Sequence, residues 1–329
     1  MRPVVTVGIP TFNRAALLKD AISSVLTQTW QDFEIVVSDD CSTDQTAAVV
    51  RGFGDPRLRY HRTATNLRPP RNWNECARLA AGEFLAILPD DDFYLPTQLE
   101  TLVTALQQNP AIGFAQSGYY SVDEAGRPIA SQVAAPERVT LTGEAALLWQ
   151  WENLACLPVC ILGRRPAMQA LGFWREDYWD DWAFFLRLAY RAGFTFVPQA
   201  LAANRTHSFN LNRVLHTERR DAILDLLNQA ADVFGTALPQ TPALETLQAR
   251  HRRELSQHCV LLTLGALRRG RLGEAGFHLA RARRLNALAG LDLGWVALRI
   301  RLWRAAAQAR AARRQAQSRP TLLTQRPAP

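Results

Sequence analysis

The segment FLAILPDDDFYLP, residues 84–96, joins an apolar run to three consecutive aspartates and largely decides the fold. Its first five residues have the length and composition of a buried β-strand. Short β-rich runs precede it at residues 4–9, 33–38 and 58–61, and helical patterns separate these runs. Because strands that alternate with helices need crossover connections, the sequence predicts an α/β domain with a mostly parallel sheet flanked by helices.

Local signals predict where the helices begin and end. Asn13 is a favoured N-cap residue ahead of the first helix, and Ser42 with Gln45 has the spacing of a capping box ahead of the second. A strongly patterned helix is predicted over residues 180–192, with a glycine stop signal and a strand over residues 194–197 after it. From about residue 215 onward the pattern is helical throughout, with helices predicted over residues 215–234, 242–269, 273–285 and 291–312.

The charge of the chain changes sign along its length. The 329 residues carry a formal net charge of +8, but residues 251–329 hold 16 arginines against three acidic residues. The first 250 residues are net acidic, with 27 acidic and 22 basic groups. We therefore predict one domain over residues 1–214, a basic α-helical region over residues 215–317 and a disordered tail over residues 318–329.

Several classes of protein are disfavoured by motifs and spacings that the sequence lacks. The five cysteines are scattered and include no paired CxxC spacing, which argues against a disulfide framework or a zinc site and predicts a reducing, cytoplasmic location. The sequence has no G-x-x-x-x-G-K-[ST] loop and no G-x-G-x-x-G motif, which argues against a P-loop NTPase and a dinucleotide-binding dehydrogenase. It also has no G-x-S-x-G elbow, which argues against an α/β-hydrolase. We expect no signal peptide and no membrane span, since no stretch reaches about 18 apolar residues.

Polar clusters follow the predicted strands at residues 11–13, 39–40 and 90–92. Ligands of open α/β sheets bind beyond the carboxyl ends of the strands, so these clusters are expected to share one site. Three adjacent carboxylates repel one another unless a cation neutralises them, and oxygen ligands suit Mg2+ or Mn2+ with a substrate phosphate. A nucleotide diphosphate bridged by a metal is the functional interpretation. An acidic surface turn is the alternative.

The polar clusters lie in or beside segments that resemble the motifs of a known protein family. These segments are VTVGIPTFNR at residues 5–14, SSVLTQTWQDFEIVVSDDCSTD at 23–44, GEF at 82–84 and DDDFYLP at 90–96. In this order and spacing they resemble the inverting family 2 glycosyltransferases of GT-A fold over roughly the first 210 residues. The resemblance implies a nucleotide-diphosphate-sugar donor, with a UDP-sugar favoured, and a divalent cation, Mn2+ or Mg2+. It also implies a glycan or lipid-linked acceptor in the synthesis of cell-surface polysaccharide or glycoconjugate.

Matching positions carry the family's site residues onto this chain. The nucleotide-sugar-binding positions fall on Pro10, Thr11, Asn13, Asp40 and Asp90. The acidic motif makes Asp91 the expected metal ligand. Many members read Asp-x-Asp-Asp there, whereas this chain has Pro89 at the first position, so Asp92 is either a second ligand or a helix-capping residue.

Inverting transfer also needs a base, and the resemblance of DWAFFLRL, residues 181–188, points to Asp181. A helix N-terminus favours an anion, which keeps such a carboxylate ready to accept a proton. Asp181 could instead merely cap the helix, and Asp180, Asp177 and Glu176 lie nearby.

The segment NRTHS, residues 204–208, resembles the family segment that closes over the diphosphate. The resemblance makes Arg205 and His207 nucleotide-sugar-binding candidates, with His207 also a possible metal ligand; a plain surface histidine is the alternative. Trp174, Tyr178 and Trp179 could line an acceptor site or pack in the core.

The basic C-terminal region suggests a location. Arginines interleave with leucine and tryptophan over residues 298–314, a pattern that favours peripheral contact with the inner face of the cell membrane. A solvated helix is an equal alternative, and no nucleic-acid partner is expected because no binding motif accompanies the charge. Two other functions remain open: a catalytically silent nucleotide-sugar-binding or scaffold protein of a glycan-assembly complex, and a metal-dependent phosphotransferase or nucleotidyltransferase.

Overall fold

The computed structural model describes residues 3–153, 157–174, 180–206 and 241–285. The chain divides into two compact units, residues 1–238 and 239–329, which are taken separately below. The predicted domain boundary after residue 214 and the predicted tail from residue 318 lie outside the described residues.

A single sheet forms the centre of the first unit. Its strand order is β3-β2-β1-β4-β9-β6-β10-β5, with β7 on β6 and β8 on β10. Its strands are β1 Val5–Thr11, β2 Phe33–Asp39, β3 Leu58–Arg62, β4 Phe84–Ile87, β5 Phe93–Tyr94, β6 Phe114–Val122, β7 Pro128–Gln132, β8 Val139–Leu141, β9 Ile161–Arg164 and β10 Phe194–Arg205.

The sheet is mixed rather than mostly parallel, which corrects the sequence prediction in part. Strands β3, β2, β1 and β4 pair in parallel, as do β6 and β10. The antiparallel strand β9 joins these two groups, because it pairs with both β4 and β6. The predicted α/β class with helices around a central sheet is confirmed.

Helices connect the strands of the first unit. They are α1 Ala15–Leu26, α2 Thr46–Gly52, α3 Pro69–Leu79, α4 Gln98–Gln108, α5 Gly143–Asn153, α6 Arg165–Ala170 and α7 Asp180–Ala192, with a short 3-10 helix at Pro158–Cys160. Every residue of β1, β2 and β4 is buried, which accounts for the many apolar residues in these strands.

Two predicted helix caps are wrong, for one physical reason. Helix α1 follows Arg14, while Asn13 adopts a left-handed backbone (φ 54°) and its Oδ1 accepts a hydrogen bond from the Thr43 N–H at 2.7 Å. Ser42 likewise accepts from the Asn13 N–H at 2.9 Å, and α2 begins only at Thr46. The loops after β1 and β2 bind each other, so these side chains are not available to cap helices.

Strand β10 is longer than the sequence predicts. The predicted strand ended at Val197, next to Pro198, but β10 passes a bulge between Val197 and Ala202 and continues to Arg205. Proline is tolerated in a strand at such irregularities. The extension pairs with β5 and brings Asn204 and Arg205 to the acidic loop at residues 90–92.

The second unit contains the helices Pro242–Arg268 and Leu272–Leu285, whose predicted bounds differ by one residue each. Small buried side chains on the two helices include Cys259, Ala266 and Ala282, and the Ser256 hydroxyl donates to the Ala282 carbonyl at 3.1 Å. In the part of the chain that the structure describes, no helix has the length and apolar character to cross a bilayer. The helices predicted at residues 215–234 and 291–312 lie outside that part.

Candidate functional site

The three predicted polar clusters meet at the carboxyl ends of β1, β2 and β4. The Asp40 N–H donates to the Thr11 carbonyl at 2.9 Å, which joins the first two strand ends. The Thr11 hydroxyl donates to Asp90 Oδ2 at 2.7 Å, which joins the first strand end to the acidic loop. Thr11, Asp40 and Asp90 are all buried, while Asn13 is exposed at the rim of this cluster.

Asp40 anchors the loop that follows β3. Its Oδ1 accepts from the Leu67 N–H at 2.6 Å and its Oδ2 from the Arg68 N–H at 2.9 Å. The Thr63 hydroxyl lies 3.3 Å from Oδ1. The carboxylate therefore shapes the loop over residues 63–68 beside the site, and its predicted contact with a nucleotide stays a prediction.

Asp39 belongs to the same predicted cluster as Asp40 but has no role predicted from the sequence, and it is equally buried. It accepts from the Ser42 N–H at 2.8 Å and from the Tyr60 hydroxyl. Burial and this hydrogen bond raise the pKa of Tyr60 to about 12. Asp39 thus holds the turn after β2 in place.

A second residue that the sequence analysis did not assign lies between two of the aspartates. Arg14 Nη1 is 3.1 Å from Asp90 Oδ1 and 2.8 Å from Asp91 Oδ2. Burial opposes the charge of Arg14, but the two carboxylates outweigh it and raise the arginine pKa. Burial raises the pKa of Asp90 to about 6, with Arg14 opposing the shift and Asp91 adding to it.

Asp92 faces different partners from its two neighbours. Its Oδ1 accepts from the Arg205 N–H at 2.8 Å, and Asn204 Nδ2 lies 3.2 Å from both oxygens. Burial and the charge of Asp91 raise the pKa of Asp92 well above its ordinary value. The alternative role as a helix cap is wrong, because α4 begins at Gln98 behind Thr97. Metal ligation by Asp92 stays a prediction.

The Arg205 guanidinium is buried and bonded to protein groups. Nε donates to the Asp91 carbonyl at 3.0 Å, Nη1 to the Glu124 carbonyl at 2.6 Å, and Nη2 to Asp20 Oδ2 at 2.8 Å. Its carbon Cζ lies 5.4 Å from the centre of the Phe93 ring. Arg205 therefore ties the acidic loop to α1 and to the β6–β7 turn, and these contacts give its predicted phosphate contact no support.

Asp181 is the second residue of α7 and is half-buried. Its position in the first helical turn is as predicted, and the helix N-terminus favours the ionised carboxylate. Of the acceptor-site aromatics, Trp174 is buried and packs on Trp73 and Phe184, with ring centres 5.7 and 4.8 Å away, which supports the core interpretation. Residues 175–179 and His207 lie outside the described residues.

Among the described residues, no group of three or more His, Cys, Asp or Glu side chains is arranged to hold a metal ion. A site in which protein supplies one or two carboxylate oxygens and the substrate phosphates supply others does not need such a group. Asp91, whose side chain is 13% exposed at the edge of the cluster, fits that kind of site.

Comparisons with known proteins show the family of the chain. Residues 6–172 match the family model described as Glycosyl transferase family 2. An uncharacterized protein of Mycobacterium tuberculosis is 30% identical over 66% of this chain and 72% of its own length. The GalNAc(5)-diNAcBac-PP-undecaprenol beta-1,3-glucosyltransferase of Campylobacter jejuni is 41% identical over 31% of this chain and 34% of its own length.

Two further similarities extend the comparison. A UDP-Glc:alpha-D-GlcNAc-diphosphoundecaprenol beta-1,3-glucosyltransferase of Escherichia coli is 30% identical over 42% of this chain and 53% of its own length. The crystal structure of S. aureus TarS 1-349 in complex with UDP-GlcNAc superimposes with a TM-score of 0.67 at 17% identity, covering 96% of this chain and 92% of that one. At that identity the likeness concerns the fold alone.

Proposed function

Because the chain belongs to glycosyl transferase family 2, we propose that it transfers a sugar, with inversion, from a UDP-sugar to a lipid-linked acceptor of cell-surface polysaccharide synthesis. The observation that carries the proposal is the linked cluster of Thr11, Asp90, Arg14 and Asp91 at the carboxyl edge of the sheet. The lipid-linked acceptor rests on the printed activities of the Campylobacter and Escherichia relatives.

The nucleotide is proposed to bind over the ends of β1 and β2. Pro10, Thr11 and Asn13 form one side of this edge, and the loop that Asp40 anchors forms the other. The Thr11 and Asp40 side chains are hydrogen-bonded to other protein groups at this edge. Backbone groups and the exposed Asn13 are therefore the groups proposed to contact the nucleotide.

The diphosphate is proposed to meet the acidic loop, with Asp91 and the predicted His207 as the metal ligands. A bound Mn2+ or Mg2+ would stabilise the charge that develops on the departing diphosphate. Asp92 and Arg205 hold this loop against the end of β10. The Arg205 N–H donates to the Asp92 carboxylate, and Arg205 Nε donates to the Asp91 carbonyl. We assign these two residues a positioning role, in place of the metal ligation that the sequence predicts for Asp92 and the phosphate contact that it predicts for Arg205.

Asp181 is proposed as the general base. As the acceptor oxygen forms its bond to the anomeric carbon and the bond to the diphosphate breaks, this carboxylate takes the hydroxyl proton. Its place in the first turn of α7 supports the ionised form that this step needs. A lipid-linked acceptor would bring the enzyme to the inner face of the membrane. We propose that the basic residues 298–314 make the membrane contact.

A panel of nucleotide-sugars tests the proposal. The protein is mixed with each sugar donor and Mn2+, and both thermal stabilisation and release of the nucleoside diphosphate are recorded. At least one UDP-sugar should raise the melting temperature and be consumed. The proposal fails if no donor stabilises the protein and Asp91→Ala changes neither quantity.

Membrane contact is tested separately by liposome flotation with anionic vesicles. The full chain should float, and a chain ending after residue 291 should not. If both float to the same extent, residues 298–314 are not the contact.

A further inference from the structure

The position of Arg14 has a bearing on how a metal reaches the acidic loop. One nitrogen of its guanidinium, Nη1, contacts both the Asp90 and the Asp91 carboxylates, and the Arg14 side chain is only 25% exposed. The Asp91 oxygen that it contacts, Oδ2, belongs to the carboxylate that the proposed function gives to the metal. Building on that proposed function, we propose that Arg14 is a resident cation of the acidic loop that competes with the divalent metal for Asp91, so that the metal binds more weakly alone than together with the nucleotide diphosphate.

Distance and charge support competition rather than sharing. Mg2+ binds carboxylate oxygen at about 2.0–2.1 Å, so an ion on Asp91 Oδ2 would lie within about 5 Å of the guanidinium nitrogen that is 2.8 Å from the same oxygen. Two positive groups at that separation repel strongly in a partly buried site. The two carboxylates together supply two negative charges, fewer than an arginine and a divalent ion supply in positive charge.

A nucleotide diphosphate removes this conflict. It brings at least two further negative charges, which balance the metal and the guanidinium together. Arg14 directly precedes α1 and lies three residues after Thr11, at the edge where the nucleotide is proposed to bind. A guanidinium pairs readily with phosphate through two parallel hydrogen bonds, so the long side chain can exchange Asp91 for a phosphate by rotation, without backbone movement.

Direct measurement of Mn2+ binding tests the inference. Free Mn2+ is measured by electron paramagnetic resonance during titration of the full-length protein, with and without UDP. The wild-type protein should bind Mn2+ at least about tenfold more tightly with UDP, and Arg14→Gln should bind it at least about tenfold more tightly than wild type when UDP is absent, about the free energy of one charge-assisted hydrogen bond. Arg14→Lys, which keeps the charge, should stay near wild type.

A matched control removes an ion pair elsewhere in the same sheet. Arg59 pairs with Glu34 at 2.7 Å, and the strand register places Glu34 five residues before the site end of β2. Arg59→Gln should leave Mn2+ affinity unchanged. Circular dichroism shows whether each variant is folded.

The outcomes separate this inference from the proposed function. If Arg14→Gln binds Mn2+ no more tightly than wild type, competition is refuted while metal-dependent transfer stands. Should that variant not fold, the wild-type pair of titrations decides, since equal affinity with and without UDP also refutes competition. If Mn2+ does not bind in any condition, the metal in the proposed function fails and the inference with it.

Discussion

Asp92 and Arg205 hold each other across 113 residues of sequence: the Arg205 N–H donates to the Asp92 carboxylate at 2.8 Å. Arg205 also donates from Nε to the carbonyl of the adjacent Asp91 at 3.0 Å. The two bonds fasten the acidic loop to the last residue of β10. Asp91, the proposed metal ligand, is therefore positioned by contacts that do not use its own carboxylate.

Removing the Asp92 carboxylate should destabilise the fold. In Asp92→Ala the buried Arg205 N–H loses its acceptor, and an unsatisfied buried donor costs about 1–3 kcal/mol. Asp92→Asn keeps one acceptor oxygen and should lose less. Urea unfolding measures both. Equal midpoints for Asp92→Ala and wild type would contradict the positioning role.

Arg205→Lys should lower the rate of sugar transfer more than the affinity for the donor. Lysine keeps the charge but cannot reach the acceptors on Asp91, Glu124 and Asp20 together, and a displacement of about 1 Å in a catalytic group can cost on the order of 100-fold. The measurement is kcat and KM for the donor that the panel identifies. Arg127→Lys, at an arginine that is 80% exposed, is the control and should behave as wild type. A change in KM alone would argue for direct phosphate binding by Arg205.

The raised pKa of Asp90 predicts a pH dependence of stability. A carboxyl group whose pKa is about 6 in the folded protein and near 3.8 in the unfolded chain favours the folded state below pH 4, and this contribution is lost as the pH rises to 6. Relative to wild type, Asp90→Asn should therefore gain stability between pH 4 and pH 6, by up to about 3 kcal/mol at 1.4 kcal/mol per pKa unit.

Urea unfolding at several pH values between 4 and 7 measures this difference. Asp55 provides a control of opposite sign, because the hydrogen bonds from Arg57 lower its pKa. Asp55→Asn should lose stability relative to wild type as the pH rises through the acid range. A pH-independent difference for Asp90→Asn would contradict the account of Asp90.

Asp181→Asn should separate binding from chemistry. The amide cannot take the acceptor proton, and the loss of a general base typically lowers the rate by about 100- to 10,000-fold. The dissociation constant of UDP, measured by calorimetry, should stay unchanged because Asp181 is assigned to the acceptor. If Asp181→Asn transfers sugar at the wild-type rate, Asp181 is not the general base and is only a helix-terminal residue.

How far the sequence predicts this structure depends on the range of the contacts involved. The β-rich runs predict the strands β1 to β4 and the periodic pattern predicts α7 with its bounds, because strand composition and helix periodicity are local properties. The caps at Asn13 and Ser42 were predicted wrongly, since these residues bind partners 29 or 30 positions away. No local pattern reports such a pairing.

The same reason limits the prediction of the site. The prediction that Thr11 and Asp90 belong to one cluster is confirmed, because both residues follow parallel strands whose carboxyl ends lie at the same edge of the sheet. Arg14 was within the quoted string but received no role, as its ion pairs with Asp90 and Asp91 span 76 and 77 residues. Asn204 and Arg205 reach the acidic loop only because β10 continues beyond its bulge, which Pro198 conceals in the sequence.

UDP release measures whether sugar is transferred from a UDP-sugar at this edge of the sheet. Wild type and Asp91→Asn are incubated with Mn2+, each UDP-sugar and an undecaprenyl-diphosphate-linked N-acetylhexosamine, with circular dichroism to confirm the fold. We expect acceptor-dependent UDP release by the wild type and a loss of at least about 100-fold in the variant, within the range that electrostatic stabilisation of a leaving group supplies. Equal rates for the two proteins, or no release from any UDP-sugar, would refute sugar transfer at this site.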